Sequence, residues 1–202
     1  MNDDIRIVSG FGQNHSAKNG RLYIPITLSE IRQMVENPPS VDKAHGQWLI
    51  PSSLPSRVFA DQEARGQFHM LWADLDRNAP PLEAVQQFLD GTLSGADFEV
   101  YTSRSATQEN PKSRILIPCS KPLSGADWIT AQTVLADLLQ ADGIEPDMVA
   151  CRTAQLCFLP NRGALYDTRS RRAGRHFDPA SAWSGHPGNE GTASGSGGRA
   201  QT

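Results

Sequence analysis

Two aspartates separated by one residue are the feature of this sequence best suited to chemistry. Asp74 and Asp76 end an apolar run, FHMLWADLD, that begins at Phe68. Side chains two residues apart on a strand project from the same face, so the two carboxylates lie close together. Their mutual repulsion is relieved by a divalent cation, which makes the pair a predicted metal site. The alternative is that both residues only begin the turn that follows.

A third carboxylate comes after the second long predicted helix, in the segment IEPDM. Asp147 is distant in sequence from the pair, but an adjacent strand would bring it to the same rim. Asp142 is a rival for this place, although its position beside Gly143 is more typical of a helix end. Three carboxylates around hard cations, with basic groups opposite, are what two-metal phosphoryl or nucleotidyl transfer requires.

Hydroxyl and basic side chains fill the loop of a predicted hairpin. The runs Phe98–Ser103 and Arg114–Pro118 are rich in β-forming residues and are joined by a polar ten-residue stretch. Serine hydroxyls and guanidinium groups suit phosphate oxygens, although loops rich in Ser and Thr are also common for reasons of turn geometry. The candidate phosphate contacts are Ser103, Arg104, Ser105, Lys112 and Arg114.

A basic strip follows near the C-terminal end of the folded part. Six arginines lie from Arg152 to Arg175, although the net charge of the chain is −3. A protein of acidic overall charge can hold a polyanion on such a local strip. A solvated loop is the equally open alternative. The residues predicted to contact nucleic acid are Arg169, Arg171, Arg172 and Arg175.

The elements that must position these residues follow an α+β order. This order is close to the split βαβ plan, in which helices cover one face of a mostly antiparallel sheet. The predicted elements are a short strand at Leu22–Ile26, a helix capped by Thr27 and Glu30, the strand from Phe68, a helix over Leu82–Leu89, the hairpin, a helix capped by Ser124 and a strand over Gln155–Leu159.

Composition divides the chain and excludes several classes of protein. Residues 1–66 are predicted to be an accessory segment of the same domain as the core at 67–178, and the Gly/Ser-rich residues 179–202 a disordered tail. No apolar run approaches the roughly 18 residues of a membrane-spanning helix, and the N-terminus does not resemble a secretory signal. Three cysteines without a CxxC pair fit reduced thiols, so we expect a cytoplasmic protein without membrane contacts.

Several segments together resemble a known family. The segments WADLD, YTSRSATQENPKSRILIP and PDMVACRTAQLCFLPNRG, with PPSVDKAHGQWLIPSS upstream, are similar to the catalytic domain of archaeo-eukaryotic-type primases, the primase-polymerase superfamily, in its phage, prophage and plasmid branch. The resemblance covers about residues 28–166. It implies an RRM-like primase-polymerase catalytic core and synthesis of primers on a single-stranded DNA template from NTP or dNTP, with Mg²⁺ or Mn²⁺ as cofactor.

The resemblance also implies roles for individual residues. Asp74 and Asp76 fall on the first motif of the family and Asp147 on its third acidic position, so these three would be the catalytic metal ligands. Arg114 matches a basic position that holds the triphosphate, and Arg152 would assist it.

The second motif departs from the family pattern. It commonly presents a histidine close to a serine, whereas this chain has Ser103-Arg104-Ser105-Ala106. Arg104 or Lys112 would have to contact the phosphates in its place, and without such a contact the protein would bind nucleotide poorly or be inactive. His69, in the strand before the aspartates, is expected to be a core or edge histidine.

Two other functions stay open at this point. One is a catalytically weak or inactive module that binds single-stranded DNA, although only Tyr166 and Phe177 offer rings near the arginines. The other is a Mg²⁺-dependent nuclease, since carboxylates around Mg²⁺ serve hydrolysis as well as transfer. The sequence has no GxxxxGK[ST] segment, so a helicase partner is expected on another chain or in a domain outside this sequence.

Overall fold

Two four-stranded antiparallel sheets are the framework of the protein, which is described by a computed structural model at residues 5–16 and 20–186. The N-terminal sheet contains β1 (Ile7–Phe11), β2 (Ile24–Ile26), β3 (Gln47–Ile50) and β7 (Cys157–Phe158). The second sheet contains β4 (Phe68–Leu75), β5 (Phe98–Thr102), β6 (Ser113–Leu123) and β8 (Thr168–Arg171). The spatial orders are β2-β1-β3-β7 and β4-β6-β5-β8. The chain therefore returns to the first sheet before it completes the second.

Five helices in the described chain accompany these sheets. They are α1 (Leu28–Glu36), α2 (Phe59–Arg65), α3 (Leu82–Thr92), α4 (Gly125–Ala141) and α5 (Pro179–Ala182). The predicted capping box begins α1, because the Thr27 hydroxyl accepts the Glu30 N–H and the Glu30 carboxylate accepts the Thr27 N–H. The Ser124 hydroxyl likewise accepts the Asp127 N–H at the start of α4. None of the helices within residues 5–16 and 20–186 has the length and apolar character needed to cross a membrane.

Helix α4 covers the outer edge of β4, the strand that ends at the aspartates. The Gln132 side chain accepts the Trp72 N–H at 2.9 Å and donates to the Trp72 carbonyl at 2.8 Å, and Trp128 Nε1 donates to the Met70 carbonyl. These bonds satisfy backbone groups that an absent strand would otherwise pair. Gln132 also donates to the Ala150 carbonyl at 3.2 Å, which holds the segment after Asp147 against the same edge.

The α+β class, the capped helices and the β5–β6 hairpin were predicted, and the structure confirms them. The predicted last strand of the core sheet, Gln155–Leu159, is wrong: only Cys157–Phe158 is a strand, and it pairs with β3 of the N-terminal sheet. The fourth strand of the second sheet is β8, within the arginine strip. A short apolar run such as LCFL indicates a strand but not its partner, so the sequence could not decide this pairing. Helix α3 also continues past Leu89 to Thr92.

Both ends of the chain carry more structure than the sequence indicated. The predicted accessory segment supplies three of the four strands of the N-terminal sheet. At the other end α5 lies beyond residue 178, and Trp183 packs edge-on against Phe177 with ring centroids 4.8 Å apart. Residues 187–202 of the predicted tail lie outside the described residues.

Candidate active site

Asp74 and Arg114 lie opposite each other on neighbouring strands of the second sheet. Arg114 Nη2 donates to Asp74 Oδ2 at 3.2 Å, and the two side chains are only 14% and 21% exposed. Burial raises the pKa of Asp74, although the Arg114 charge opposes the shift. Asp74 Oδ1 and Arg114 Nε are buried and have no hydrogen-bond partner among the described residues. Unpaired buried polar atoms of this kind are uncommon in folded proteins and point to a ligand.

Asp76 is the first residue after β4. Its carboxylate is half exposed and contacts Lys112 Nζ at 3.0 Å. The Asn110 side chain donates to the Asp76 carbonyl at 3.2 Å and accepts the Ala79 N–H at 3.1 Å. The hairpin loop thereby fixes the turn that carries Asp76.

Asp147 meets Asp74 through the backbone. Its N–H donates to the Asp74 carbonyl at 2.8 Å. Its carboxylate caps the 3-10 turn Met148–Cys151 by accepting the Val149 N–H at 2.9 Å, and its charge contributes to the raised pKa of Asp74. The rival candidate, Asp142, is the C-terminal cap of α4. We call Asp74, Asp76 and Asp147 the carboxylate corner.

Each carboxylate of the carboxylate corner contacts another group of the protein. Within the part of the chain that the structure describes, no group of three metal-ligating side chains is arranged to hold an ion. One Asp74 oxygen is bonded to Arg114, one Asp76 oxygen to Lys112 and one Asp147 oxygen to a backbone N–H. The second Asp74 oxygen is buried without a partner, and carboxylate oxygens are the ligands that Mg²⁺ and Mn²⁺ prefer. The donor chemistry therefore fits a divalent cation, but the three carboxylates do not converge on one point in this structure.

Two cavities meet at Asp76. The first, which we call the basic cavity, has a volume of about 290 Å³ and lies between the sheets. Its walls are formed by Asp76, Ser103, Arg104, Ser105 and Arg114 on one side, and by Lys43, Gly46, Phe158, Leu159 and Asn161 on the other. The second, of about 320 Å³, is lined by Asp76, Arg77, Glu145, Pro146, Asp147 and Met148. Asp76 thus borders a cavity that carries three basic side chains, and Asp147 lines the second cavity, whereas Asp74 lines neither.

The serine-rich loop is held in place over the basic cavity. The Ser103 and Ser105 hydroxyls are 3.4 Å apart, and Arg104 Nη1 donates to the Arg162 carbonyl at 2.8 Å. Gly163 permits this approach, because a Cβ atom there would lie 1.9 Å from the Arg104 carbonyl oxygen. The three predicted phosphate contacts at 103–105 therefore line the cavity, and Lys112 lies beside it on Asp76.

The wall opposite the serines was missed in the sequence. Lys43 lies on the 3-10 turn Lys43–His45, and the Asn161 amide exchanges hydrogen bonds of 3.0 and 2.9 Å with the Val41 backbone. Glycines follow these two residues within three positions, in the segments DKAHG and PNRG, which is a weak signal. The pairing of Asn161 with Val41, 120 residues away, has no local signature.

Arg169 and Arg171 of β8 and Arg172, which directly follows the strand, contact acids of their own chain and line neither cavity. We call these three residues the β8 arginines. Their partners are Glu83 and Asp167 for Arg169, Asp90 for Arg171, and Glu36 and Glu99 for Arg172. Glu99 is buried and accepts bonds of 2.8 and 2.9 Å from Arg172. The structure therefore gives these charges a role in holding β8 against neighbouring elements.

The two remaining predicted arginines also lie outside both cavities. Arg175 uses its backbone, whose N–H donates to the Asp97 carboxylate at 3.2 Å. Arg152 is exposed and lines neither cavity, although it directly follows the turn that Asp147 caps. The structure thus brings together the acids, the serine loop and Arg114, but not these two residues.

The fold is shared with a primase-polymerase domain from a cyanophage. The AEP domain of the primase-polymerase from cyanophage S-2L matches this chain with a TM-score of 0.51 and 11% sequence identity, over 89% of this chain and 86% of that chain. No protein-family profile and no curated protein sequence matches the chain. At this identity the likeness concerns the fold alone, and the predicted primase-polymerase-like α+β fold is confirmed.

Proposed function

We propose that this protein is a nucleotidyltransferase of the primase-polymerase type, which makes primers on single-stranded DNA from NTP or dNTP. The observation that carries the proposal is the buried Asp74 carboxylate, which keeps one oxygen unpaired beside two further acids and a basic cavity. The likeness of the fold to a phage primase-polymerase domain supports the class. A mobile-element origin, a cytoplasmic location and a helicase partner on another chain or domain belong to the same proposal.

The carboxylate corner would hold Mg²⁺ or Mn²⁺. Such an ion supplies activation of the attacking 3′ hydroxyl and neutralisation of the pyrophosphate leaving group. The protein contributes rigid placement of the ligands: Asp74 is fixed by the β4–β6 ladder, and Asp147 by its backbone bond to Asp74. Backbones fixed in this way confine the rearrangement needed for ion binding to the carboxylate side chains, which limits its cost.

The basic cavity would hold the triphosphate. Arg114 presents an unpaired Nε, Arg104 and Lys43 add charge, and the paired hydroxyls at 103 and 105 add short donors. Planar guanidinium groups and hydroxyls are suited to phosphate oxygens. Arg104 occupies the motif in which the family commonly has a histidine, and we assign it the phosphate contact. Its guanidinium lies 3.8 Å from the exposed Asp42 carboxylate, a contact that a phosphate would replace. This cationic wall favours nucleotidyl transfer over hydrolysis of a strand.

The deciding experiment is primer synthesis on a single-stranded DNA template with labelled NTP or dNTP, in Mn²⁺, Mg²⁺ or EDTA. The proposal expects metal-dependent products, together with nucleotide binding in Mn²⁺ that does not require the template. Template binding without nucleotide binding would instead identify an inactive strand-binding module. Shortening of the template would identify a nuclease.

A further inference from the structure

A groove opens beside the two cavities of the candidate active site. It has a volume of about 610 Å³ and we call it the β1 groove, after the strand that begins one wall. Its lining residues are Phe11, Gly12, Gln13, Asn14, Arg21, Lys43, Ala44 and His45. Lys43 also lines the basic cavity, so the two spaces are neighbours. A chain-like ligand that is a few monomer units long can therefore contact both spaces.

The chemistry of the β1 groove differs from that of an ordinary surface. Phe11 is 40% exposed at the end of β1, which is a large ring to leave in water. Arg21 and Lys43 are exposed and form no ion pair with any described residue, and His45 adds an exposed imidazole ring. No acidic side chain is among the described residues that line the groove. Exposed rings combined with unpaired cations are the features by which proteins bind single-stranded nucleic acid, since rings stack on bases and cations contact phosphates.

The walls of the β1 groove are fixed to each other. Gly12 has a φ of 65° and donates its N–H to the Gly46 carbonyl at 2.9 Å. A Cβ atom at Gly12 would lie 2.2 Å from the Ala44 carbonyl oxygen, so this approach requires glycine. The Gly12 carbonyl in turn accepts a bond of 2.8 Å from Trp48 Nε1. The exposed ring and the 43–45 turn are thus held in position before any ligand binds, which reduces the entropy lost on binding.

The geometry points to the β1 groove as the surface that binds single-stranded nucleic acid next to the nucleotide site. A base stacks on Phe11, and Arg21 and Lys43 contact phosphates. This inference rests on the proposed function for the identity of the ligand, and it transfers the strand-binding role from the β8 arginines, whose charges are already paired. The groove belongs to the N-terminal segment 1–66, for which the sequence alone indicated no role.

The test is fluorescence anisotropy with a labelled oligo(dT) of about 20 nucleotides, in the absence of nucleotide and metal. We expect Phe11→Ala to weaken binding about tenfold through lost stacking. We expect Arg21→Ala to reduce the magnitude of the slope of log affinity against log salt by about 0.7, the value for one phosphate contact on a single strand. Phe59→Ala is the matched control, because Phe59 is similarly exposed (46%) and does not line the groove.

The outcomes separate this inference from the proposed function. Oligonucleotide affinity that stays within twofold in both variants overturns the groove, as does an equal loss in Phe59→Ala or a stronger affinity for duplex than for single strand. Nucleotide binding in Mn²⁺ is measured on the same variants and is expected to be unchanged, since neither residue lines the basic cavity. A protein that binds oligonucleotide through Phe11 but makes no primers keeps the groove and rejects the polymerase. If the protein makes primers but the variants bind the strand as tightly as the unmodified protein, the polymerase is kept and the groove is rejected.

Discussion

Two charged clusters lie at the second sheet: the carboxylate corner with Arg114, and the β8 arginines with their acids. They contain the same residue types but differ in how many of their polar atoms remain without a hydrogen-bond partner. Around Asp74 and Arg114, buried polar atoms have no partner among the described residues. Along β8, every arginine contacts at least one carboxylate. Charge density alone therefore does not identify a functional site. Incomplete pairing of buried charges is the more specific sign, because leaving such atoms unpaired reduces stability and is rarely kept without a ligand.

The largest expected effect is the loss of ligands at the carboxylate corner. The double variant Asp74→Asn and Asp76→Asn keeps the shape of both side chains but removes the charge that a metal requires, so we expect primer synthesis to fall by about 10³-fold or more. Incorporation of labelled nucleotide measures it. Asp90→Asn, which removes the acid paired with Arg171, is the control and should retain activity. Undiminished synthesis in the double variant would contradict the metal assignment.

The next effect concerns the contribution of the β8 arginines to stability. Arg172→Ala leaves Glu99, which is 1% exposed, with Arg32 as its remaining cation, so we expect the free energy of unfolding to fall by about 2 kcal/mol. Urea denaturation measures the change. Arg171→Ala is the matched control, since its partner Asp90 is 38% exposed and such pairs contribute at most about 1 kcal/mol. Equal unfolding free energies in the two variants would contradict the larger contribution expected of the buried Arg172–Glu99 pair.

A third effect concerns Arg104, the proposed phosphate contact. Arg104→Ala removes one guanidinium from the basic cavity, and we expect nucleotide affinity in Mn²⁺ to fall about tenfold through loss of a charge-assisted hydrogen bond. Isothermal titration calorimetry measures it. Arg162→Ala is the control, because that guanidinium lies over the Tyr166 ring, 5.5 Å from its centroid, and does not line the cavity. An unchanged dissociation constant in Arg104→Ala would count against the phosphate contact.

A smaller effect is the pH dependence of stability. Burial raises the pKa of Asp74 above its usual 3.8, whereas backbone hydrogen bonding and Arg169 lower that of Glu83. The Asp74 contribution is present in full below the unfolded-state pKa and is lost as pH rises through the folded-state value. The side chain in Asp74→Asn cannot titrate. The unfolding free energy of this variant should therefore increase relative to that of the unmodified protein as pH rises from about 4 towards neutrality. A difference that stays constant across urea titrations at these pH values would contradict the assignment.

The smallest expected effect is on strand binding by β8. The sequence predicted that removing Arg169, Arg171 and Arg172 would flatten the salt dependence of DNA affinity, but all three guanidinium groups contact acids. We therefore expect a double alanine variant at Arg169 and Arg171, which spares the bonds to buried Glu99, to change single-stranded DNA affinity by less than about twofold, with the same salt slope. Anisotropy across a salt series measures it. A slope reduced by about one or more would return β8 to the path of the strand.

The local features of this protein were readable in its sequence because each depends on neighbouring residues. Thr27 and Glu30 specify the start of a helix within four residues, and the apolar run from Phe68 indicates a buried strand that ends at two charges. The serine loop between two β-rich runs indicates a hairpin. Such patterns reflect capping and periodic burial, which act over one or two turns of chain.

The tertiary structure alone decided which distant groups meet. The pairing of Cys157–Phe158 with β3, the bond from the Asp147 N–H to the Asp74 carbonyl, and the acids that neutralise the β8 arginines all join segments far apart in the sequence. Charge and periodicity state what a segment can bind, but many partners satisfy them equally well. The choice among those partners is made by packing of the whole core, because the buried polar groups must find their bonds together.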